Sequence, residues 1–368
     1  MPIYMDFHDL PEGVTSAHVA EMHQADLKIE HKYNCRGLTY WCDERRQTAF
    51  CLIEAPNEQA IMDLHEKAHG GVPQRIIEVN DTIVESFLGR IKDPENAKNT
   101  ELNIINDSAF RSLMVVKFHK NVLRTTQLET LQAALRGYAN SIRNIVSQHH
   151  GRIVKQDSNL FLVSFTNVAQ AVQSAIRIQE IHNYVITPDL NFKIGIGAGM
   201  PVTEKEHLFE DTINKADYLT YVPSGSIILA PEVKALYESE NQNTPLNIEG
   251  VFALQKAEMD FLIRFLIYTE EVWTLSSIGA IDYHKNLGLS KSTLYRTIIP
   301  ILGKSPNGFL KVYRLNKALA LLDQQASNIS EVAYQTGFSS PMYFSKCFKE
   351  AYGILPSKYM KQLRVIPS

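Results

Sequence analysis

One pattern near the C-terminal end constrains this chain more than any other, namely two short helices separated by a tight turn. Residues 329–360 read ISEVAYQTGFSSPMYFSKCFKEAYGILPSKYM. The turn is predicted at Thr336-Gly337-Phe338, and Ser339-Ser340-Pro341 are favourable residues for the start of the second helix. Such a helix-turn-helix presents its second helix to the major groove, so we expect double-stranded DNA to be a partner.

A similar unit precedes it. The chain is predicted to be helical over Ile278–Lys285, to turn near Asn286–Leu289 and to restart at Ser290 with SKSTLYRTIIPIL. Between the two units, Phe309–Leu322 has the apolar spacing of an amphipathic helix that would join them rigidly. With Leu294 and Ile298 packed inward in one second helix, and Phe344 and Phe348 in the other, two sets of residues remain to contact DNA. They are Lys291, Ser292, Tyr295 and Arg296 in the first unit, and Ser340, Pro341, Tyr343 and Lys346 in the second.

Charge is distributed unevenly along the chain. Residues 1–80 carry seven Lys or Arg against thirteen Asp or Glu, whereas residues 285–368 carry twelve against three. A basic end on an otherwise acidic protein is typical of contact with DNA phosphates at that end.

The remaining bulk features point to a protein of the cytoplasm. No apolar run approaches the roughly 18 residues of a membrane span. The start, MPIYMDFHDL, lacks the basic and apolar regions of a signal peptide. Four cysteines are too few for a disulfide scaffold, so we expect reduced thiols.

The order of predicted elements divides the chain into three units and two linkers. Residues 1–80 alternate as βαββαβ, the ferredoxin-like order, and residues 109–238 form a second α/β unit. Residues 257–368 are all helical, while 81–108 and 239–256 are polar and are assigned as linkers. The expected fold class is therefore a multidomain α+β protein. In the first strand we place Ile3, Met5 and Phe7 toward the core and Tyr4, Asp6 and His8 on the opposite face, where a partner sheet could cover them.

The first unit is rich in histidine. Residues 65–69 read HEKAH, which matches the H-E-x-x-H pattern and puts two histidines on one helical face. A zinc protease would use Glu66 as its base, but the helix is predicted to stop at once at Gly70-Gly71, and the downstream ligand spacing is missing. Metal binding without catalysis is the better interpretation, and we expect no enzyme activity.

The candidate metal ligands are nitrogen, sulfur and oxygen donors of this unit. They are His8, His23, Asp26, Cys51, Glu54, His65 and His69. Histidine with cysteine favours nickel, zinc, cobalt or copper over magnesium or calcium. The alternative for each single histidine is a surface group or a hydrogen-bonded core group.

The C-terminal strings SPNGFLKVYRLNKALALL and ISEVAYQTGFSSPMYFSKCFKEAYGILPSKYM resemble the AraC/XylS family of transcription regulators over residues 258–361. The resemblance implies two recognition helices in successive major-groove segments on one face of the DNA.

The strings MDFHDLPEGVT, MHQADL, YWCDE, FCLIEAP and HEKAHGG, between Met5 and Val79, resemble a family of small bacterial nickel-binding proteins with a dimeric ferredoxin-like fold. This resemblance implies a homodimer and a nickel-type metal.

The middle strings GRIVKQDSNLFLVSF, KIGIGAGMPV, LFEDTINKADYL and GSIILAPEV resemble class III nucleotidyl cyclases over residues 112–237. The chemistry of that family is missing here. Leu113–Phe118 lacks the first metal-binding Asp, Ser158-Asn159 replaces Gly-Asp, and Tyr218 replaces the Arg four residues after Asn214. We therefore expect a degenerate cyclase-like domain that serves dimerisation or binds a ligand.

Together these features predict a DNA-binding regulator whose first unit senses a transition metal. The alternative effector is a nucleotide or another small molecule bound in the middle domain. A metal-dependent hydrolase at HEKAH, or residual cyclase activity, is the enzyme alternative.

Overall fold

The computed structural model describes residues 1–94, 102–120, 128–157, 159–184, 190–241, 246–324 and 327–363. Parts of both predicted linkers (95–101 and 242–245) and Ser158 lie outside these ranges. No described helix has the length and apolar character that a membrane crossing requires.

The N-terminal unit is built from four strands and two helices, followed by a third helix. The elements are β1 (Ile3–Asp9), α1 (Ser16–Ile29), β2 (Arg36–Asp43), β3 (Thr48–Glu54), α2 (Glu58–Ala68), β4 (Arg75–Val79) and α3 (Asp81–Leu88). The strands form one antiparallel sheet in the order β2-β3-β1-β4. The sequence elements therefore follow one another as βαββαβ, with the first strand at the centre of the sheet.

The middle unit is a six-stranded sheet with flanking helices. Its elements are β5 (Arg111–Lys120), α4 (Leu128–Gln148), β6 (Arg152–Asp157), β7 (Leu160–Phe165), α5 (Val168–Tyr184), β8 (Leu190–Gly199), α6 (Glu210–Leu219), β9 (Ile227–Leu229), α7 (Pro231–Glu240) and β10 (Val251–Ala253). The strand order is β10-β9-β8-β5-β7-β6. Strand β10 lies within residues 239–256, which the polar composition had assigned to a linker, and it pairs in parallel with β9 at the edge of the sheet.

The described part of the C-terminal unit contains seven helices. They are α8 (Lys256–Val272), α9 (Ala280–Asn286), α10 (Lys291–Leu302), α11 (Pro306–Asp323), α12 (Ile329–Gln335), α13 (Pro341–Tyr352) and α14 (Pro356–Leu363). Helices α9 and α10 form the first helix-turn-helix and α12 and α13 the second. Leu294, Ile298, Phe344 and Phe348 are fully buried, as the helical spacing predicts.

Both faces of the N-terminal sheet are covered, which corrects the expectation for β1. Tyr4 packs in the core beneath α1 and α2, and Asp6 is 1% exposed on the same face. The opposite face, with Met5 and Trp41, packs against α3 and the middle unit. An alternating strand has two equivalent faces in sequence, and only the helices that cover one of them distinguish the core side. A partner sheet therefore cannot cover either face unless part of the chain moves away.

Helix α3 lies inside the predicted linker 81–108. Its Val84, Phe87 and Leu88 are buried between the two sheets. Arg111 ties this helix to β5, because its guanidinium donates to the carbonyl oxygens of Phe87 and Leu88. The segment between the units is thus a packed element of the structure.

Glycines on β8 allow α6 to lie directly on the middle sheet. A Cβ atom on Gly195 would come within 1.9 Å of the carbonyl oxygen of Ala216, and one on Gly197 within 3.1 Å of that of Thr212. The glycines of the GIGAG string therefore allow the backbone of α6 to approach β8 closely.

Helix α6 also contacts the C-terminal unit. The Tyr218 hydroxyl donates to Glu270 Oε2 on α8 at 2.9 Å. Tyr221, just after α6, packs its ring against Phe309 and Tyr313 of α11. One apolar core accordingly runs from the middle sheet into the first helix-turn-helix.

We expect Gly195→Ala to destabilise the middle unit by about 1–3 kcal/mol, because the new methyl group cannot fit against α6. Gly137→Ala is the matched control in the same unit. Gly137 is helical with no neighbouring atom within 4 Å of a new Cβ, so alanine there should stabilise by about 0.5–1 kcal/mol. Urea unfolding of the full chain, followed by circular dichroism, measures both midpoints. A Gly195→Ala midpoint at or above that of the wild type would contradict this packing.

Candidate functional site

A buried cluster of histidines and carboxylates lies between the sheet and the two helices of the N-terminal unit. Its centre is His65 on α2, which is 1% exposed. His65 Nε2 is 2.9 Å from Asp6 Oδ2 on β1, and His65 Nδ1 is 3.1 Å from Asp26 Oδ1 on α1. His69, one turn further along α2, places its Nε2 3.3 Å from the same Asp26 oxygen. Three separate elements therefore converge on one imidazole.

Two further donors complete the cluster on the side of the sheet. The ligand atoms of Asp6, His8, Cys51 and His65 all lie within 4.8 Å of one another, as do those of Asp26, His65 and His69. His8 Nε2 is 3.4 Å from Asp6 Oδ1, yet it is buried and has no hydrogen-bond partner among the described residues. We name these six residues the histidine–carboxylate cluster.

The ionisable groups of the cluster shift one another's pKa values strongly. Burial by itself disfavours an imidazolium, but hydrogen bonds to Asp26 and Asp6 outweigh it and raise the pKa of His65 to about 10. Burial would also raise the pKa of Asp6, yet His8 and His65 hold that pKa well below its usual range. Burial, reinforced by the carboxylates of Asp6 and Asp26, raises the pKa of the Cys51 thiol well above its usual value. A protonated His65 thus donates one N–H from each ring nitrogen to a buried carboxylate, Nε2 to Asp6 and Nδ1 to Asp26.

The donor set fits a transition metal. Imidazole nitrogen and thiolate favour nickel, zinc, cobalt or copper. The buried His8 Nε2 makes only a long 3.4 Å contact with Asp6 Oδ1 and no hydrogen bond among the described residues. Metal ligands must be deprotonated, so a bound metal would replace the His65 proton. The arrangement is therefore chemically suited to exchange a proton for a metal ion.

Two of the predicted ligands lie apart from these groups. His23 is buried against the Tyr40 ring, and burial lowers its pKa. Glu54 is at the end of β3, where it accepts from Arg36 at 2.8 Å. Glu66, which a zinc protease would use as its general base, is exposed on the outer side of α2. The HEKAH string therefore contributes its histidines to the cluster without its glutamate.

Asp6 is the ligand candidate that the sequence reasoning missed. It lies in the cluster because β1 is the central strand and its Asp6 face is covered by α2. The signal was present in the alternation of Tyr4, Asp6 and His8, since a carboxylate two residues from a chosen ligand occupies the same face of a strand.

The second functional region is the pair of recognition helices. Ser290 Oγ and Ser340 Oγ accept from the backbone N–H groups of Thr293 and Tyr343, so both serines are N-caps. The first predicted set is solvent-accessible, with Lys291, Ser292 and Arg296 exposed and Tyr295 half-buried. In the second set Tyr343 and Lys346 are exposed, while Ser340 and Pro341 are half-buried.

Met342 was not predicted, yet its side chain is 84% exposed in the first turn of α13. Helical spacing could have found it, because it lies on the face opposite to Phe344. An exposed apolar side chain at the start of a recognition helix can contact a thymine methyl group.

The fold and these two regions define a multidomain α+β protein that joins a buried metal-type cluster to a double helix-turn-helix unit. Residues 4–79 match the family described as nickel responsive protein SCO4226-like, and residues 283–362 match a helix-turn-helix domain family. The chain therefore carries an SCO4226-like domain at its N-terminal end and an AraC-type helix-turn-helix domain at its C-terminal end.

Individual relatives match parts of the chain. An uncharacterised HTH-type transcriptional regulator of Bacillus subtilis, YdeC, is 40% identical over 22% of this chain and 28% of its own. The HTH-type transcriptional regulator MtrA of Neisseria gonorrhoeae is 25% identical over 61% of this chain and 71% of its own. The crystal structure of SCO4226 from Streptomyces coelicolor is 36% identical, with a TM-score of 0.20, over 21% of this chain and 94% of that one. Apart from MtrA, the first curated relatives are matched over only 9 to 37% of their own length.

We expect Asp6→Asn to weaken nickel binding by at least about tenfold, because the amide loses the negative charge that favours a cation at His65. Isothermal titration of the full chain with NiCl2 measures the affinity, and circular dichroism checks folding. Glu54→Gln is the control, since Glu54 pairs with Arg36 outside the cluster. Equal nickel affinity in Asp6→Asn and the wild type would exclude Asp6 from the site.

Proposed function

We propose that this chain is a sequence-specific DNA-binding transcription regulator whose affinity for DNA is set by a transition metal, of the nickel type, at the histidine–carboxylate cluster. The observation that carries the proposal is the presence, in one packed chain, of that buried cluster and of two capped helices with exposed polar first turns. His8, Cys51, His65 and Asp6 are the residues that would hold the ion, with Asp26 and His69 on the other side of His65.

The C-terminal unit supports DNA binding through its geometry. Helix α11 joins the two helix-turn-helix units, and its Arg314 donates to the carbonyl oxygens of Trp273 and Leu275 at the end of α8. Gly337, in the turn of the second unit, has a φ of +75°, and a Cβ atom there would meet the Trp273 oxygen at 2.5 Å. These contacts hold the two recognition helices in one relative orientation, which favours reading successive segments of one DNA face.

The packing between units supports coupling between the cluster and the DNA. Asp6 and Met5 are adjacent on β1, and Met5 packs with Leu113 and Val115 of β5. Further along the same strand, Lys117 Nζ pairs with Asp217 Oδ1 of α6 at 2.5 Å. The next residue, Tyr218, bonds to Glu270 of α8. A metal that binds one arrangement of these contacts better than another would shift the population of DNA-competent chains.

A cleft between the middle and C-terminal units favours a second candidate, in which the effector is a nucleotide or another small molecule. The cleft has a volume of about 300 Å³ and is lined by Asn214 and Lys215 of α6 and by Ile263 and Ile267 of α8. Asn214 also matches the helix Asn of the cyclase-like pattern. A ligand there would act directly on the contact between α6 and α8.

We expect nickel to change the affinity for a selected operator by about fivefold or more, the usual lower range of allosteric coupling. Binding sites are selected from random DNA with the full chain, then footprinted with and without NiCl2. His65→Ala/His69→Ala should abolish the nickel effect and keep metal-free binding. Failure to select any DNA binding site would contradict the proposed sequence-specific DNA binding. A nickel effect that survives in the double variant would remove the cluster from it, and a nucleotide effect in that variant would favour the second candidate.

We expect Arg296→Ala to relax the preference for one base pair by about 1–3 kcal/mol, because an exposed arginine in a recognition helix can pair with the guanine edge. Competition assays with single-base variants of the selected site measure this preference. Lys256→Ala, an exposed residue at the start of α8, is the control. A uniform loss of affinity for all sequences would instead assign Arg296 to the DNA backbone.

A further inference from the structure

A cleft opens between the two helix-turn-helix units. It has a volume of about 310 Å³ and lies between the start of α11 and the turn that precedes α13. Its polar lining comes from four elements of the C-terminal unit. The side chains concerned are Ser276, Asn307, Lys311, Arg314, Ser339 and Tyr343.

The charge of this lining is entirely positive. Among the described residues that line the cleft, Lys311 and Arg314 are basic and none is acidic. The α6–α8 cleft differs in this respect, because Glu210, Asp211 and Glu270 line it. The cleft between the helix-turn-helix units also meets the N-terminal end of α11, where the helix dipole adds positive partial charge. An anion is therefore the ligand class that this lining favours.

Arg314 strengthens this conclusion because it is a buried charge. Its residue is only 9% exposed, and no carboxylate lies within 4.0 Å of it in the described part of the chain. The two carbonyl oxygens at the end of α8 accept from its Nε and Nη2, at 2.7 and 2.6 Å. The carbonyl of Trp273, the C-cap of α8, offsets part of the charge as a helix-terminal dipole, and that of Leu275 is a further neutral acceptor beyond the helix. A full negative charge at the mouth of the cleft would complete the compensation.

The cleft is next to a recognition helix. Ser339 directly precedes the N-cap Ser340, and Tyr343 belongs to both the cleft and the exposed first turn of α13. When the first turn of such a helix meets base edges, the phosphates that border the groove lie beside it. Phosphate contacts of this kind set the register of a protein on the duplex.

We propose that this cleft seats a phosphate of the DNA backbone, held by Lys311 above the buried Arg314 guanidinium, and that it positions α13 in its groove. The inference rests on the proposed DNA-binding function. A free phosphate or a phosphorylated small molecule offers the same chemistry, and the experiment distinguishes these sources from DNA.

The test is the salt dependence of operator binding by the full chain. Each phosphate that a protein neutralises on duplex DNA contributes about −0.9 to the slope of log K against log salt concentration. We expect Lys311→Gln to make the slope less steep by about 0.9, to weaken binding to all sequences alike, and to leave the base preference unchanged. Lys311→Arg should restore the wild-type slope.

Lys317→Gln is the matched control on the same helix. Its Nζ lies over the rings of Trp273 and Tyr313, away from the cleft, so the slope should stay at the wild-type value. An unchanged slope in Lys311→Gln, with normal operator binding by the wild type, would overturn the phosphate seat alone. Failure of the wild type to bind any selected site would overturn the proposed function and this seat with it.

A second arm uses inorganic phosphate without DNA. One possible result is that phosphate raises the melting temperature of the wild type and not that of Lys311→Gln, while both proteins show the same salt dependence of operator binding. The cleft would then belong to a free phosphorylated ligand. That outcome would also overturn the assignment to DNA.

Discussion

Strand β5 is buried on both faces, and the arrangement of the whole chain depends on this. Leu113 and Val115 face α3 and the N-terminal sheet, while Met114 and Val116 belong to the core that continues into the C-terminal unit. Apolar area removed from water contributes roughly 25 cal/mol per Å². Because β5 buries apolar side chains in two cores, moving either the N-terminal or the C-terminal unit away from the middle unit would expose part of this area to water. Strand β5 therefore has the N-terminal unit on one face and the core shared with the C-terminal unit on the other.

The histidine–carboxylate cluster links β1, α1 and α2 of the N-terminal unit through buried polar contacts. Two carboxylates buried around one imidazolium are satisfied only while His65 donates an N–H to each of them. Removal of one partner from a buried ion pair costs about 3–5 kcal/mol, because an uncompensated charge stays in the interior. The same network therefore stabilises the N-terminal unit. Asp6 of the cluster and Met5 are neighbours on β1, and Met5 packs against β5 of the middle unit. A displacement of Asp6 therefore occurs one residue from this packing contact.

Much of the architecture could be predicted because its determinants are local. The N-caps Ser290 and Ser340, the buried pairs four residues apart in α10 and α13, and the βαββαβ order all follow from periodicity and turn residues. The linkers were less predictable. The predicted linker 81–108 is polar as a whole, yet Val84, Phe87 and Leu88 are spaced to bury one side of a helix once two sheets enclose it. Residues 251–253 become a strand only because β9 offers a free edge.

The sequence by itself determined the two families of domain, whose matching strings are spread along each unit. It also determined the caps and inward faces of the recognition helices and the histidine pair on α2, since each of these depends on residues within one or two helical turns. Tertiary structure alone decided that Asp6 joins that pair while His23 and Glu54 lie apart, because strand alternation leaves the choice of face open until helices cover one side. It also decided that Lys311 and Arg314 line one cleft with Ser339 and Tyr343. These residues are about 30 positions apart, and only the packing of α11 against the second helix-turn-helix brings their charges and hydroxyls together.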